Sequence, residues 1–260
     1  MPSTGFGHPA DRRAPTTHRL RFARTLCPSR LAAAPVIPRL YAGAIADHEA
    51  LEPFSPAVRA WFATSFEAPT AAQVQGWPHI ARGESTLICA PTGSGKTLTA
   101  FLAALDTLMT SEPSQERSHR TRVLYVSPLR ALAFDVEKNL RSPLRGIELA
   151  ADRTGLSVVE PVVAMRTGDT PSNERQRLIR RPPDLLITTP ESLYLMLTSS
   201  ARETFVGVET VIIDEIHALA PTKRGAHLSL TLERLEEITD RPFQRIGLSA
   251  TQRPLEVVAR

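Results

Sequence analysis

Cysteine is almost missing from this chain of 260 residues: Cys27 and Cys89 are the two it has. Two thiols build no disulfide framework, and neither they nor the histidines fall into zinc-ligand spacing. A stapled secreted scaffold and a structural zinc site are therefore excluded. Cys89, inside an apolar run, reads as a small buried residue. Long hydrophobic runs are missing too. None approaches the roughly 18 apolar residues of a membrane span, so no membrane partner is expected, and the composition suits a reducing cytoplasm. No internal repeat is present. Bulk positive charge is scarce where it would matter. The chain has a net charge of +4 and a pI near 9.5. Yet seven arginines and one acid, Asp11, precede Asp47, and the remainder carries 24 basic against 26 acidic residues. Any affinity of the folded part for nucleic acid must come from placed residues, not from bulk charge.

What is present is an ordinary globular composition, 42% hydrophobic and 22% charged. Residues 1–47 are rich in Pro, Arg and Ala without sustained periodicity, and read as a disordered leader. An Arg-rich, acid-poor start is open to two readings, an organelle transit peptide or a flexible leader. Residues 48–260 read as one folded domain. Helices are expected over 55–66 and 70–81, with Trp61, Phe62, Phe66 and Trp77 in the core. Apolar strands then alternate with amphipathic helices: strands at 86–90, 123–127, 158–165, 185–188, 211–214 and 246–249, helices at 97–109, 129–140, 172–180, 192–198 and 224–238. Residues 111–122 read as a polar surface loop. This alternation predicts an α/β fold, a parallel sheet covered by helices on both faces. Ligands of such sheets bind at the carboxyl ends of the strands.

Ala90-Pro91-Thr92-Gly93-Ser94-Gly95-Lys96-Thr97 lies between one of these strands and a helix, the setting a phosphate-binding loop requires. Gly93 and Gly95 permit backbone angles that a side chain forbids. Thr92, Gly93, Ser94 and Gly95 can then turn N–H groups toward phosphates at a helix N-terminus. Lys96 supplies a charge for the terminal phosphates, and the Thr97 hydroxyl is placed to ligate Mg²⁺. The strict pattern starts with Gly; here that position is Ala90. Val211-Ile212-Ile213-Asp214-Glu215-Ile216-His217 ends an apolar strand in two acids. If this strand neighbours the first, Asp214 holds Mg²⁺ opposite Thr97 and Glu215 orients and deprotonates the attacking water. Adjacent acids also cap helices, so the pairing with the upstream loop is what favours chemistry. ATP and Mg²⁺ are the expected cofactors, with Glu215, Lys96 and Asp214 as catalytic residues.

In this order, the phosphate loop, Asp214-Glu215-Ile216-His217 and Ser249-Ala250-Thr251 resemble motifs I, II and III of superfamily 2 helicases. Pro69-Thr70-Ala71-Ala72-Gln73 resembles the upstream Q motif, which implies that Gln73 reads adenine. Ser127-Pro128-Leu129-Arg130 resembles motif Ia and Thr188-Thr189-Pro190-Glu191-Ser192 resembles motif Ib. Both imply contacts to a nucleic-acid backbone; helix capping is the plain alternative. Arg166-Thr167-Gly168-Asp169-Thr170 and Ala220-Pro221-Thr222-Lys223-Arg224-Gly225 are similar to the large helicase-related (Lhr) family. Lys223 and Arg224 either face nucleic acid or form a solvated helix face. The resemblance implies a RecA-like P-loop domain that couples Mg-ATP hydrolysis to translocation on single-stranded DNA and unwinding, in a repair setting. It also implies that Thr167 and Gly168 touch nucleic acid, that His217 couples the nucleotide site to a partner domain, and that Ser249 and Thr251 link that site to another element. A hydrogen-bonded buried imidazole and a Ser/Thr turn at a strand end are the plain alternatives. DNA is favoured over RNA as partner. An RNA helicase domain, or a non-hydrolysing module that binds ATP and nucleic acid, are the alternatives. Nothing resembling motifs IV to VI follows. A second RecA-like domain, with its arginine finger, is therefore expected to be required for full activity, and this chain alone to be nearly inert.

Overall fold

The computed structural model describes residues 21–22 and 48–251. The expected leader, that pair apart, and residues 252–260 lie outside the described residues. Strands β1 (Arg21–Phe22), β2 (Thr86–Cys89), β3 (Val123–Val126), β4 (Val163–Arg166), β5 (Leu185–Thr188), β6 (Thr210–Ile213) and β7 (Gln244–Ser249) form one sheet. Its order is β1-β2-β7-β6-β3-β5-β4, and every pairing is parallel. The helices are α1 (Pro56–Ser65), α2 (Ala71–Ala81), α3 (Lys96–Thr110), α4 (Arg130–Thr154), α5 (Ser172–Arg180), α6 (Pro190–Leu197), α7 (Ile216–Leu219) and α8 (Lys223–Glu236).

Both faces of the sheet are covered, and the alternation of side chains along a strand decides which residue goes where. Val123 and Tyr125 face one way, with Ile88, Ile187, Ile212 and Ile246, onto α3 and α4 through Phe101, Leu105, Val136 and Leu140. Leu124 and Val126 face the other way, with Leu186 and Val211, onto α6 and α8 through Leu193, Met196, Leu228 and Leu232. A third cluster seats α1 and α2 against the outer sides of α3 and α4: Trp61, Phe62 and Trp77 with Leu102 and Ile147. Phe54 and Phe62 meet Trp77 edge-on, at centroid distances of 5.0 and 5.5 Å. Phe66 is not a core residue as expected; it is 40% exposed and lies against Trp61 and Phe62 from outside.

Element starts follow capping chemistry. Ser55 caps α1, with Pro56 in its first turn. Thr70 and Gln73 form a reciprocal capping box at the start of α2. Two expected boundaries are wrong for physical reasons. The helix expected to stop at Leu140 runs through Pro143 to Thr154, because Ala133, Val136, Leu140, Pro143, Ile147 and Ala150 keep one buried stripe at helical spacing. It ends at Gly155, whose φ of +68° supplies the left-handed stop. The strand expected from Val158 begins only at Val163, after Pro161; Val159 instead donates its N–H to the Met109 carbonyl, at 2.8 Å. The loop 111–122 contains a 3₁₀ turn at Arg117–His119 and a buried Thr121, so it is not wholly a solvated loop. No helix among the described residues is long and apolar enough to cross a membrane.

Candidate nucleotide and nucleic-acid site

The carboxyl ends of β2, β7 and β6 lie side by side, and they carry the phosphate loop, Ser249 and Asp214. The strand that carries the acids is not the immediate neighbour of the strand before the loop; β7 stands between. At about 4.8 Å per strand, two spacings set the loop and the acids about 10 Å apart, with Ser249 and Ala250 in the middle. The Ala90 N–H donates to the Ser249 carbonyl at 3.2 Å, which ties the loop to the end of β7. Gly93 and Gly95 have φ of +81° and +80°. A Cβ on Gly95 would meet Gln73 Nε2 at 3.0 Å, so the Gln73 amide packs directly on the loop. Gln73 Oε1 accepts from the Thr70 N–H at 2.8 Å. The expected adenine-reading glutamine thus spends its acceptor on the capping box and turns its amide nitrogen to the phosphate loop.

The loop has the unmet needs of an anion site. Lys96 is 8% exposed and makes no ion pair among the described residues, and Ser94 Oγ is buried with no hydrogen-bond partner. A buried charge and a buried hydroxyl without partners are both costly, and one phosphate satisfies both. Thr97 follows Lys96 in the first turn of α3. No cluster of three or more His, Cys, Asp or Glu among the described residues is arranged to hold a metal. A cation here would rest on Asp214, Thr97 and phosphate oxygens, the sparse protein coordination typical of Mg²⁺.

Asp214 is 6% exposed. Its Oδ2 accepts the Tyr125 hydroxyl, and its Oδ1 accepts the Glu215 N–H at 2.9 Å. Each oxygen keeps a second lone pair, so the carboxylate is oriented yet able to bind a cation. Burial, and then the charge of Asp214, push the Tyr125 phenol above its ordinary range, so it stays a donor. Glu215 has φ of +48° and is the one non-glycine among the described residues in the left-handed region, at a cost of about 1–2 kcal/mol. The turn points its carboxylate away from the Asp214 bonds and toward His217, whose Nδ1 lies 3.2 Å from Glu215 Oε2. Nδ1 also receives the Ala250 N–H at 3.2 Å. One nitrogen cannot serve both. The backbone donor fixes Nδ1 as acceptor, and by this assignment the proton sits on Nε2. His217 is therefore held to the end of β7 by Ala250 and lies against Glu215 without a hydrogen bond to it; Thr251, next to Ala250, is exposed. Cys89 is half-buried rather than a core residue; burial pushes its thiol up, and its sulfur meets Ser249.

The ends of β3, β5 and β4 make the second half of the sheet's rim. Ser127 is fully buried and its hydroxyl donates to the Leu129 carbonyl at 3.1 Å; Thr189 caps α6, bonding Ser192. These two expected nucleic-acid contacts keep their side chains inside the protein. Backbone groups are what this rim offers. Leu129 gives α4 no side-chain cap, so its first N–H groups stay open beside Pro128 and Arg130. Thr167 is buried beside the exposed Gly168. Arg130 pairs with Asp169. Arg166 is half-buried, and burial first and then Arg175 hold its pKa below the usual guanidinium range; an anion would relieve both. Arg224 is exposed but not free: it grips Glu191 bidentately at 2.6 and 3.1 Å and donates to the Pro128 carbonyl at 2.9 Å. This clamp, with Pro190 behind Glu191 in the first turn of α6, joins two of the expected nucleic-acid segments. Tyr125 and this use of Arg224 were not legible in the sequence, because their partners stand 89 and 96 residues away.

The chain belongs to the DEAD/DEAH box helicase family, whose pattern matches residues 70–258, and it forms the RecA-like P-loop domain of that family. Within it, the likeness to Lhr helicases is high. The chain is 61% identical over 207 residues to the Lhr helicase/probable uracil glycosylase of Mycolicibacterium smegmatis, covering 80% of this chain and 14% of that protein. It is 58% identical over 210 residues to the Lhr helicase/uracil glycosylase of Escherichia coli, again 14% of that protein's length. The structure of Mycobacterium smegmatis helicase Lhr bound to ssDNA and AMP-PNP superposes with a TM-score of 0.77 at 59% identity, covering 81% of this chain and 26% of that one. The chain thus spans about a seventh of the length of these curated relatives.

Proposed function

We propose that this domain binds Mg-ATP at the rim of β2, β7 and β6 and single-stranded DNA at the rim of β3, β5 and β4, and that hydrolysis is coupled to movement along the strand. The observation that carries the reading is the buried Lys96 and the Ser94 hydroxyl, neither with a partner among the described residues, on a loop bonded to β7. Lys96 and the loop N–H groups would bind and orient the phosphates; Thr97 and Asp214 would hold Mg²⁺, which when bound neutralises phosphate charge. Glu215 accepts a proton from the attacking water. His217 and Ser249 relay the state of the site to β7. The relative solved with ssDNA and AMP-PNP supports DNA and an adenine nucleotide as partners. Phosphoryl transfer also draws on an arginine finger worth about 10³–10⁵ in rate, which by family pattern sits on a second RecA-like domain. This chain alone should bind Mg-ATP and turn it over only slowly.

The test is Mg-ATP hydrolysis by the 260-residue chain with and without single-stranded DNA. Binding without appreciable turnover supports a motor half that needs its second domain. Strong DNA-stimulated turnover overturns that part, and absent nucleotide binding overturns the whole. Competition between DNA and RNA oligonucleotides at matched salt decides the strand chemistry, because backbone affinity falls steeply with salt.

A further inference from the structure

β4 is the last strand of the sheet: β5 pairs with it on one side and no described strand on the other. Val162, just before it, accepts on the β5 side from the N–H groups of Asp184 and Leu185, at 2.9 and 3.2 Å. Alternate residues of a parallel strand bond to opposite neighbours, so Val163 and Met165 turn their N–H and C=O groups to the open edge. Val163-Ala164-Met165 carries no charge and no proline, the devices that usually blunt an edge.

This edge is one wall of a cavity of about 840 Å³, well away from the phosphate loop. The facing wall is α5, through Glu174, Arg177, Leu178 and the flanking Arg181, one stripe of a helix at spacings 3, 4 and 7. No residue of α5 is buried; along this stripe Glu174, Arg177 and Arg181 are exposed and Leu178 is half-buried. The guanidinium groups of Arg177 and Arg181 make no ion pair or hydrogen bond among the described residues. Arg117 and Arg120, also in the lining, are already paired with Glu203 and Asp184.

An open strand edge, apolar lining from Ala164, Leu178 and Pro182 and uncommitted guanidinium groups are what an extended acidic peptide needs: main-chain bonds supply affinity and side chains supply selection. We propose that the free edge of β4 and the facing stripe of α5 form a docking groove for an extended acidic segment of a partner protein. The segment pairs with Val163 and Met165 through its backbone, and its carboxylates meet Arg177 and Arg181. A phosphate chain has no N–H groups to give the outward carbonyls, so it cannot pair with the strand edge. The chain's own first 46 residues, with seven arginines and one acid, carry the wrong charge to fill the groove.

The test is fluorescence anisotropy with the whole chain and a labelled peptide that alternates valine and glutamate at strand length, about six residues. Parallel arms use the valine–lysine counterpart, the peptide N-methylated on alternate amides in each of its two registers, and oligothymidylate. Saturable binding of the valine–glutamate peptide is expected. N-methylation in one register and the changes Arg177→Glu and Arg181→Glu should each weaken it by about tenfold or more, with nucleotide affinity unchanged. Three results would overturn the groove: no saturable binding, equal binding of both N-methylated peptides, or an Arg177→Glu chain that loses oligothymidylate instead of peptide.

Discussion

Asp214 and Glu215 are adjacent in sequence and opposite in circumstance. Asp214 is buried and held by two donors, whereas Glu215 is half-buried and its carboxylate faces an imidazole nitrogen that already has its proton donor in Ala250. One suits an oriented cation ligand and the other a proton acceptor. In a protein that includes the second motor domain, Glu215→Gln should leave the ATP dissociation constant nearly unchanged and abolish steady-state turnover. Near-normal turnover would move the base elsewhere. The two roles were partly legible in the sequence, because two acids after an apolar run need only a strand to aim them. The left-handed turn that separates them was not, since nothing in the residue type Glu asks for a positive φ. Ser127 and Thr189 were ambiguous for a related reason. A hydroxyl after a strand suits a phosphate or its own backbone equally well, and here the backbone takes it.

Among elements, the seating of α1 on α4 rests on one missing side chain. A Cβ at Gly146 would stand 2.2 Å from Trp61 Nε1, so Gly146→Ala should push α1 outward. The expected loss is about 1–3 kcal/mol, typical of overpacking, read as a lower urea midpoint with altered fluorescence from Trp61 and Trp77. Full stability would show that α1 shifts without cost. A second joint is sensitive to pH. His119 Nε2 lies 2.6 Å from Asp240, and that hydrogen bond above all raises its pKa. A raised pKa gives stability that is complete below the unfolded value near 6.5 and is lost as pH climbs through the folded one. Protection of the Gly207 amide, which donates to Ser118 beside this histidine at 3.1 Å, should therefore fall above neutral pH once intrinsic exchange is corrected. Asp240→Asn should flatten that dependence; an unchanged profile would separate the joint from His119. Neither device was visible in the linear chain. Gly146 lies mid-helix, where a glycine usually signals weakness, and His119 belongs to a segment that reads as polar loop.

At the scale of the whole molecule, the parallel sheet and its two covered faces were readable because local periodicity reports burial directly. Strand order was not, for it depends on how each crossover lands; the linear chain leaves open whether the acids stand next to the loop, and β7 lies between them. On the proposed reading, the resulting rim gives the nucleotide three strands and the nucleic acid three. A ligand bound only to the native rim stabilises the entire fold, by about 2.7 kcal/mol at a hundredfold excess over its Kd. At about 2–4 °C per kcal/mol for a domain of this size, Mg-ATP analogues should raise Tm by roughly 5–10 °C. Lys96→Ala should erase that rise while leaving the unliganded Tm close to its original value. A persistent shift would mean the nucleotide binds elsewhere. The place of β7 has one more consequence, for synthesis. β2 and β6 are both made before the strand that must lie between them, and Gln244 in β7 reaches back 160 residues to bond Glu84 beside β2. At ribosomal speeds of about 5–20 residues per second, a nascent chain carries β2 without its partner for on the order of 10–30 s. The edge of β2 that β7 will cover stays open for that time, and the slot between β2 and β6 for only about 2–6 s of it, because β6 is made just ahead of β7. It is at that edge that a chaperone, or a premature neighbour, would meet this protein first.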